Sequence, residues 1–447
     1  MENTDERPPT KEWAVFVYVA ADVTQPGMHR AAQRNLLQMM ITGSSEQVYV
    51  AAQVDTPKNP TRRYVFPRPP KGKETWEVQA RDSLDNVDSA DPRSIEDFFR
   101  WGIRACPAKN TMIVLWGHGF GLDDYTPKGF ARASLRKLAA RARVANPAVQ
   151  ADAKSGTLGA VKVGSVIVDD TSDEILTDRQ VGDALRACAA MAKEAGGNLA
   201  IVGFDACVMA MAEVWCELAG GPQIGIGSQS SLPYTSWPYD LFLTRLLARP
   251  YSDPRTVAGM MVDTFADFYR NLNYYVTLSA CDLRQLDNLK KAMALLAEAL
   301  NAAASGSDAR QAIFSARNAS PCYDPDGFID LDCFCGFLQE DLEDEAIFSA
   351  CRSVRDELRN FVLALVYGPQ DPTRMVSLSG GVSIWFPPWI EDSTIKEDQK
   401  AQSEAYLRTG YGQTKFAAGT KWDEFLKTMV KHQPAGAGAV PRPEKTS

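Results

Sequence analysis

Histidine is nearly absent from this chain: 447 residues include three, His29, His118 and His432. Any chemistry that needs an imidazole therefore has three candidates. Long apolar runs are missing too. No uninterrupted stretch of ~18 apolar residues could cross a bilayer as a helix, so a membrane partner is not expected. The opening stretch, MENTDERPPTKEW, carries charges of both signs and two prolines without an apolar segment. It does not read as a secretory signal, and the expectation is a cytoplasmic protein. Excess positive charge is also lacking. With 48 Lys and Arg against 56 Asp and Glu the net charge is -8, which repels phosphate backbones and argues against nucleic acid as a partner. Zinc-type cysteine spacing is absent: of nine cysteines the only tight pair, Cys333-Phe334-Cys335, reads as one face of a strand with no second pair or nearby His. The metal ligands, if there are any, are unknown at this stage.

What is present is the balance of a folded globular protein, 45% hydrophobic and 23% charged. Short apolar runs at 13–20, 48–54, 111–116, 163–168 and 198–204 read as strands. Helical segments alternate with them: 28–40, one capped by Ser94, one capped by Thr177 that runs to about Lys193, and 209–218. This rhythm predicts an α/β fold with a mostly parallel central sheet and helices on both faces, whose chemistry lies at the carboxyl ends of the strands. In the second half, 283–304 and 356–365 read as helices and 383–386 as a late strand. The expected division is a flexible N-terminus (1–12), a catalytic core (13–245), a C-terminal part of the same unit whose late strands complete the sheet (246–432), and a disordered tail (433–447). Residues 125–163 form a basic insertion in the core, with eight cations against the single acid Asp152.

Two strand ends carry candidate chemistry. The run TMIVLW ends in Gly117-His118-Gly119-Phe120-Gly121, and NLAIVGF ends in Asp205-Ala206-Cys207. A Cys at the start of a helix has its sulfur near unpaired N–H groups, which favours thiolate. If the strands are neighbours, His118 and Cys207 face one cleft as acid/base and nucleophile. Gly119 would let the backbone approach a substrate carbonyl, its N–H joining that of Cys207 to hold the oxyanion. The glycines also suggest a phosphate loop, but they run into Leu122-Asp123-Asp124, whose charge opposes phosphate.

The blocks WGHGFGL (116–122) and GFDACVMA (203–210) resemble the His-Gly and Ala-Cys motifs of clan CD cysteine peptidases, specifically the clostripain family. Supporting matches are VDDTSDEILT (168–177), Ser228-Gln229, Trp237 to Asp240, Gly327 to Leu331, and Ser379 to Pro387. The resemblance implies a caspase-like three-layer sandwich and cysteine endopeptidase activity on proteins or peptides, through His118 and Cys207. It implies substrate binding by Asp205, Ser228, Trp237 and Asp240, with cleavage after Arg or Lys. Members are made as precursors cut in the loop after the catalytic His, which makes Lys128, Arg132, Arg136, Lys137, Arg141 and Arg143 candidate processing sites. No cofactor is required by the residues themselves, and the resemblance brings in calcium. A regulatory protein partner would restrain such an enzyme. The family often reads Ser-Gln-Glu-x-Glu-Pro-Gly-x-Gly-Trp across its pocket wall, whereas this chain has Ser228-Gln229-Ser230-Ser231-Leu232-Pro233-Tyr234-Thr235-Ser236-Trp237. That departure keeps an alternative open, a catalytically silent signalling or scaffold protein of the same fold.

Overall fold

The computed structural model describes residues 8–70, 78–122, 166–270, 272, 274–323, 327–368, 379–387, 404, 406–408 and 410–431. The candidate processing sites, the tail and His432 lie outside the described residues. Four of the expected strands, β1 (Lys11–Ala20), β2 (Val48–Asp55), β5 (Ala108–Trp116) and β8 (Asn198–Asp205), pair in parallel, and β9 (Ile224–Gly227), for which no strand was expected, joins them in parallel beside β8. β3 (Thr61–Val65) and β4 (Asp82–Leu84) add antiparallel on one edge. β10 (Thr277–Asp282) and β12 (Val362–Tyr367) do so on the other. The nine strands run β12-β10-β9-β8-β5-β1-β2-β3-β4.

Alternation along the central strands creates the three layers. Trp13, Val15, Val17 and Val19 of β1 enter one buried cluster, and Ala14, Phe16, Tyr18 and Ala20 enter the other. A strand apolar on both faces has to be covered on both. One face is covered by α1 (Pro26–Thr42), which contributes Met28, Ala31 and Met39. The other is covered by α2 (Pro92–Ala105) through Phe98 and Phe99, and by α3 (Asp178–Glu194) through Val181 and Leu185. Thr177 caps α3 in a reciprocal capping box with Gln180.

Several elements differ from the sequence expectation. α2 starts ahead of Ser94, because Asp91 accepts from Arg93 N–H and Pro92 takes the first turn. The helix predicted over 356–365 ends at Phe361, and the β-branched and aromatic run 362–367 pairs with β10 instead. Residues 383–385 form β13, paired with β11 (Phe328–Asp330) in a separate two-stranded sheet. Cys333 and Cys335 lie on a helix (Leu331–Asp341) rather than on one face of a strand. Part of the run expected as a strand over 163–168 forms β6 (Val166–Asp169), which pairs antiparallel with β7 (Glu174–Leu176) in a separate sheet beside the carboxyl end of β5 instead of joining the central sheet.

Candidate active site

β5 and β8 are hydrogen-bonded neighbours in register, Trp116 opposite Asp205, and Gly117 N–H donates to the Asp205 carbonyl at 3.3 Å. The loops that leave them are pressed together. A Cβ on Gly119 would stand 2.2 Å from the Cys207 carbonyl oxygen and 2.9 Å from both Cys207 N and Ala206 Cβ. On its far side the His118 loop is held by β6: Ile167 N–H donates to the His118 carbonyl at 3.0 Å, and Gly119 bridges Val166. His118 is half-buried. Its Nε2 lies 3.0 Å from Gln25 Oε1, and its ring stacks on Phe120 with centroids 5.9 Å apart. Desolvation lowers its pKa, opposed in part by the negative charge of Asp170.

Cys207 is half-buried, in a turn that ends before the next helix. α4 (Ala212–Glu217) begins at Ala212, so the expectation of a sulfur at a helix N-terminus does not hold. The backbone from Val208 onward is engaged elsewhere: Val208 N–H on the Ser230 carbonyl at 3.2 Å, Ala210 N–H on Ser228 at 2.9 Å, and Ser383 N–H on Ala210 at 2.9 Å. The sulfur meets another loop instead. Leu232 N–H donates to Cys207 Sγ at 3.2 Å.

Of the four residues expected to bind substrate, three are buried and point inward. Asp205 is 5% exposed, and its Oδ2 accepts from Ser236 Oγ, from Tyr239 Oη at 2.9 Å and from Trp237 N–H at 3.3 Å. Burial pushes this carboxyl up to about 6 despite those donors. Ser228 is fully buried, and its Oγ donates to the Ser230 carbonyl at 2.8 Å and accepts from Ser230 N–H at 3.1 Å. Trp237 is fully buried too, its ring filling the space over Gly203, where a Cβ would come within 2.6 Å of it. Asp240, in the first turn of α5 (Tyr239–Ala248), is half-buried. Asp205, Ser228 and Trp237 therefore build the wall from behind.

Ser236 stands in the left-handed region at φ 60°, where glycine is the usual residue. Its side chain compensates: besides meeting Asp205, its Oγ accepts from Trp116 Nε1 at 3.1 Å. Sequence reasoning missed Gln25, which belongs to no recognisable motif, and it gave Asp170 and Leu232 no individual role although both lie in segments that match the family, because each acts from a different loop.

The best candidate cation ligands among the described residues are Asp22, Asp55 and Asp169, fully buried, with one carboxylate oxygen of each within 4.8 Å of the others. They are hard oxygen donors of the kind that suits calcium. Burial and the charges of the other two push Asp55 up to about 7, against donation from Ser89 and Thr61. Thr171 Oγ1 serves Asp22 at 3.0 Å, and the N–H groups of Thr171 and Ser172 serve Asp169 at 3.0 and 2.9 Å.

The family model described as the clostripain family matches residues 159–429, more than half of the chain. The chain belongs to the clostripain family. It is a cysteine peptidase of that family with a caspase-like fold, and its substrates are proteins or peptides. The matched span includes Cys207 and begins after His118. A secreted C11 cysteine protease from Bacteroides thetaiotaomicron, bound to an irreversible peptide inhibitor, shares the fold at TM-score 0.60 and 18% identity, over 92% of this chain and 99% of that one. An inactive zymogen C11 protease from Parabacteroides distasonis does so at TM-score 0.61 and 15% identity, over 92% and 99%. No curated protein matches the chain. The expectation of a cytoplasmic protein is overturned here, since the Bacteroides protease of the same fold is described as secreted. A charged opening stretch reports on that stretch alone.

Replacing Gly119 by Ala in this clostripain-family chain should force the β5 and β8 ends apart, because the atoms it meets are the Cys207 backbone and Ala206 Cβ, none of which can swing away. The expected cost is about 1–3 kcal/mol of stability, read as a lower urea midpoint, with at least a tenfold loss of peptidase activity. A Gly119→Ala protein with unchanged midpoint and activity would contradict the packing described.

Proposed function

We propose that the chain is an endopeptidase working through Cys207 and His118, and the contact of Gly119 with the Cys207 backbone carries this reading. Cys207 passes its thiol proton to His118 as Sγ attacks the scissile carbonyl carbon, and the N–H groups of Gly119 and Cys207 receive the oxyanion. His118 donates a proton to the amine nitrogen as the C–N bond breaks, leaving a thioester that water hydrolyses. The lowered pKa of His118 suits a group that must give up a proton near neutral pH. Cys207→Ala and His118→Ala should each reduce turnover of peptide reporters by at least 10³-fold. Either variant retaining activity removes the dyad.

For the residue before the scissile bond we propose Arg or Lys. Support comes from Asp205, which has no ion-pair partner among the described residues, the charge of Arg34 acting on it only from a distance. A buried carboxylate without a counter-charge gains from an incoming cation, here through the hydroxyls of Ser236 and Tyr239, with Asp240 assisting nearby. Asp205→Asn should lower cleavage after Arg and Lys about 10–100-fold relative to norleucine. The wild-type preference should strengthen as pH rises through about 6, where Asp205 ionises. Equal cleavage of basic and norleucine reporters would refute it.

Self-cleavage within 125–163, after one of Lys128, Arg132, Arg136, Lys137, Arg141 or Arg143, belongs to the same proposal. Leu232 N–H on Cys207 Sγ supports a form whose nucleophile is engaged before activation, which a regulatory partner could hold. Intact mass should show two fragments in the wild type and one in Cys207→Ala. A fully active uncut chain would count against it.

Calcium is proposed at Asp22, Asp55 and Asp169, where it would supply the missing positive charge. Asp55 is raised from 3.8 to about 7, so its ionisation costs stability as pH rises across that window. Calcium should raise the melting temperature by a few degrees at pH 8 and less at pH 5, an effect lost in Asp55→Asn. No calcium response at either pH would exclude the site.

A further inference from the structure

Gln25 sits at the N-cap of α1 in an extended conformation, yet its side chain makes no capping hydrogen bond. Ser, Thr, Asp or Asn would serve the helix better there. The Gln25 amide is spent elsewhere, its Oε1 lying 3.0 Å from His118 Nε2. The turn that carries it is fixed at several points. Thr24 N–H donates to Asp170 Oδ2 at 2.6 Å, Asp170 N–H donates to the Asp22 carbonyl at 2.8 Å, and Thr171 Oγ1 donates to Asp22 Oδ1 at 3.0 Å. His29 Nε2 lies 2.7 Å from the Val23 carbonyl oxygen. The amide is therefore presented to the imidazole by a braced loop rather than by a free side chain.

We propose that Gln25 is a positioning residue of the peptidase: its amide oxygen accepts the Nε2–H of His118, fixing the ring and leaving Nδ1 as the nitrogen that exchanges its proton. This rests on the Cys207–His118 reading. Nε2–H exists in both the neutral Nε2 tautomer and the imidazolium, so the bond persists while Nδ1 passes its proton to the leaving amine. The neutrality of the acceptor matters. A carboxylate in its place would stabilise the imidazolium and hold the proton that His118 must release. Among the described residues Asp170 is the charged group that acts on the ring, and the Cys207 backbone adjoins the same loop at Gly119. The sequence left this Gln unmarked because it lies 93 positions from His118.

The test compares Gln25→Leu, Gln25→Glu and wild type in the full-length chain, with circular dichroism and melting temperature confirming folding. Gln25→Leu should lower kcat about 10–100-fold with KM unchanged. Gln25→Glu should restore much of kcat and move the alkaline limb of the pH profile up by about one unit. Three histidines make a second readout practical: nitrogen NMR of the chain labelled in histidine, assigned with His118→Ala, should show Nε2–H in the wild type and mixed tautomers in Gln25→Leu. Wild-type kcat in Gln25→Leu, or equal losses in both variants with an unmoved pH limb and unchanged tautomer, overturns the positioning role while leaving the dyad standing. Retained turnover in His118→Ala overturns the dyad and the positioning role with it.

Discussion

Where Gly119 packs against the Cys207 carbonyl there is no room for a side chain, and the site is arranged around that constraint. It joins the carboxyl ends of two adjacent parallel strands, β5 and β8, the position at which open α/β sheets present their chemistry. The loops cannot slide, because each is tied on its outer side: the His118 loop by β6, and the Cys207 turn by the 228–230 backbone and β13. The second half of the chain is therefore part of the site's support. Gln229 Nε2 donates to Asp330 Oδ2 at 2.9 Å, and Gly381 N–H donates back to Gln229 Oε1 at 3.0 Å, so the wall loop leans on β11 and the segment leading into β13.

Three buried acids about this framework, Asp55, Asp205 and Glu213, have no ion-pair partner among the described residues. Asp55 and Asp205 are pushed up to about 7 and about 6, and Glu213 at the start of α4 to about 7, each chiefly by burial. Glu213 accepts from Trp385 N–H at 2.9 Å and Tyr411 Oη at 2.8 Å, docking the C-terminal segments beneath the Cys207 turn. In all three the charged form is the costly one, so stability from these groups is greatest in acid and declines as pH rises through their folded values. Groups of this kind respond to whatever positive charge arrives, and one of them, Asp205, lies two residues before Cys207. The net charge of -8 is thus partly an interior property.

Much of the architecture was legible because it rests on local rules. Alternation in β1 and β5, the Thr177 capping box and the apolar runs of the central strands point to a covered parallel sheet. The motifs around His118 and Cys207 stood out because glycines and a Cys at strand ends are uncommon features with a chemical use. Less was legible where two local signals compete or where a residue acts across space. Asp91 and Ser94 both resemble caps, and Pro92 decided between them. The run at 362–367 follows a strong helix, and only pairing with β10 turns it into a strand. Asp205 reads as a pocket acid, yet Ser236, Trp237 N–H and Tyr239 occupy it. Gln25 acts on His118 from 93 positions away. The cytoplasmic expectation failed differently, by asking an opening stretch to report on transport.

The central claim is that Cys207, alone of the nine cysteines, is a nucleophile served by His118. Seven of the others, Cys322 aside, lie wholly or partly inside the fold, so a small reagent could mislead by reaching an exposed sulfur. A peptide carrying an electrophilic ketone after Arg has to be recognised before it reacts, and the labelled residue can be read by mass spectrometry of the digested protein. One adduct per chain, on Cys207, lost in His118→Ala, is the result the proposed dyad predicts. Labelling at another cysteine, or labelling of Cys207 at an unchanged rate in His118→Ala, would contradict it.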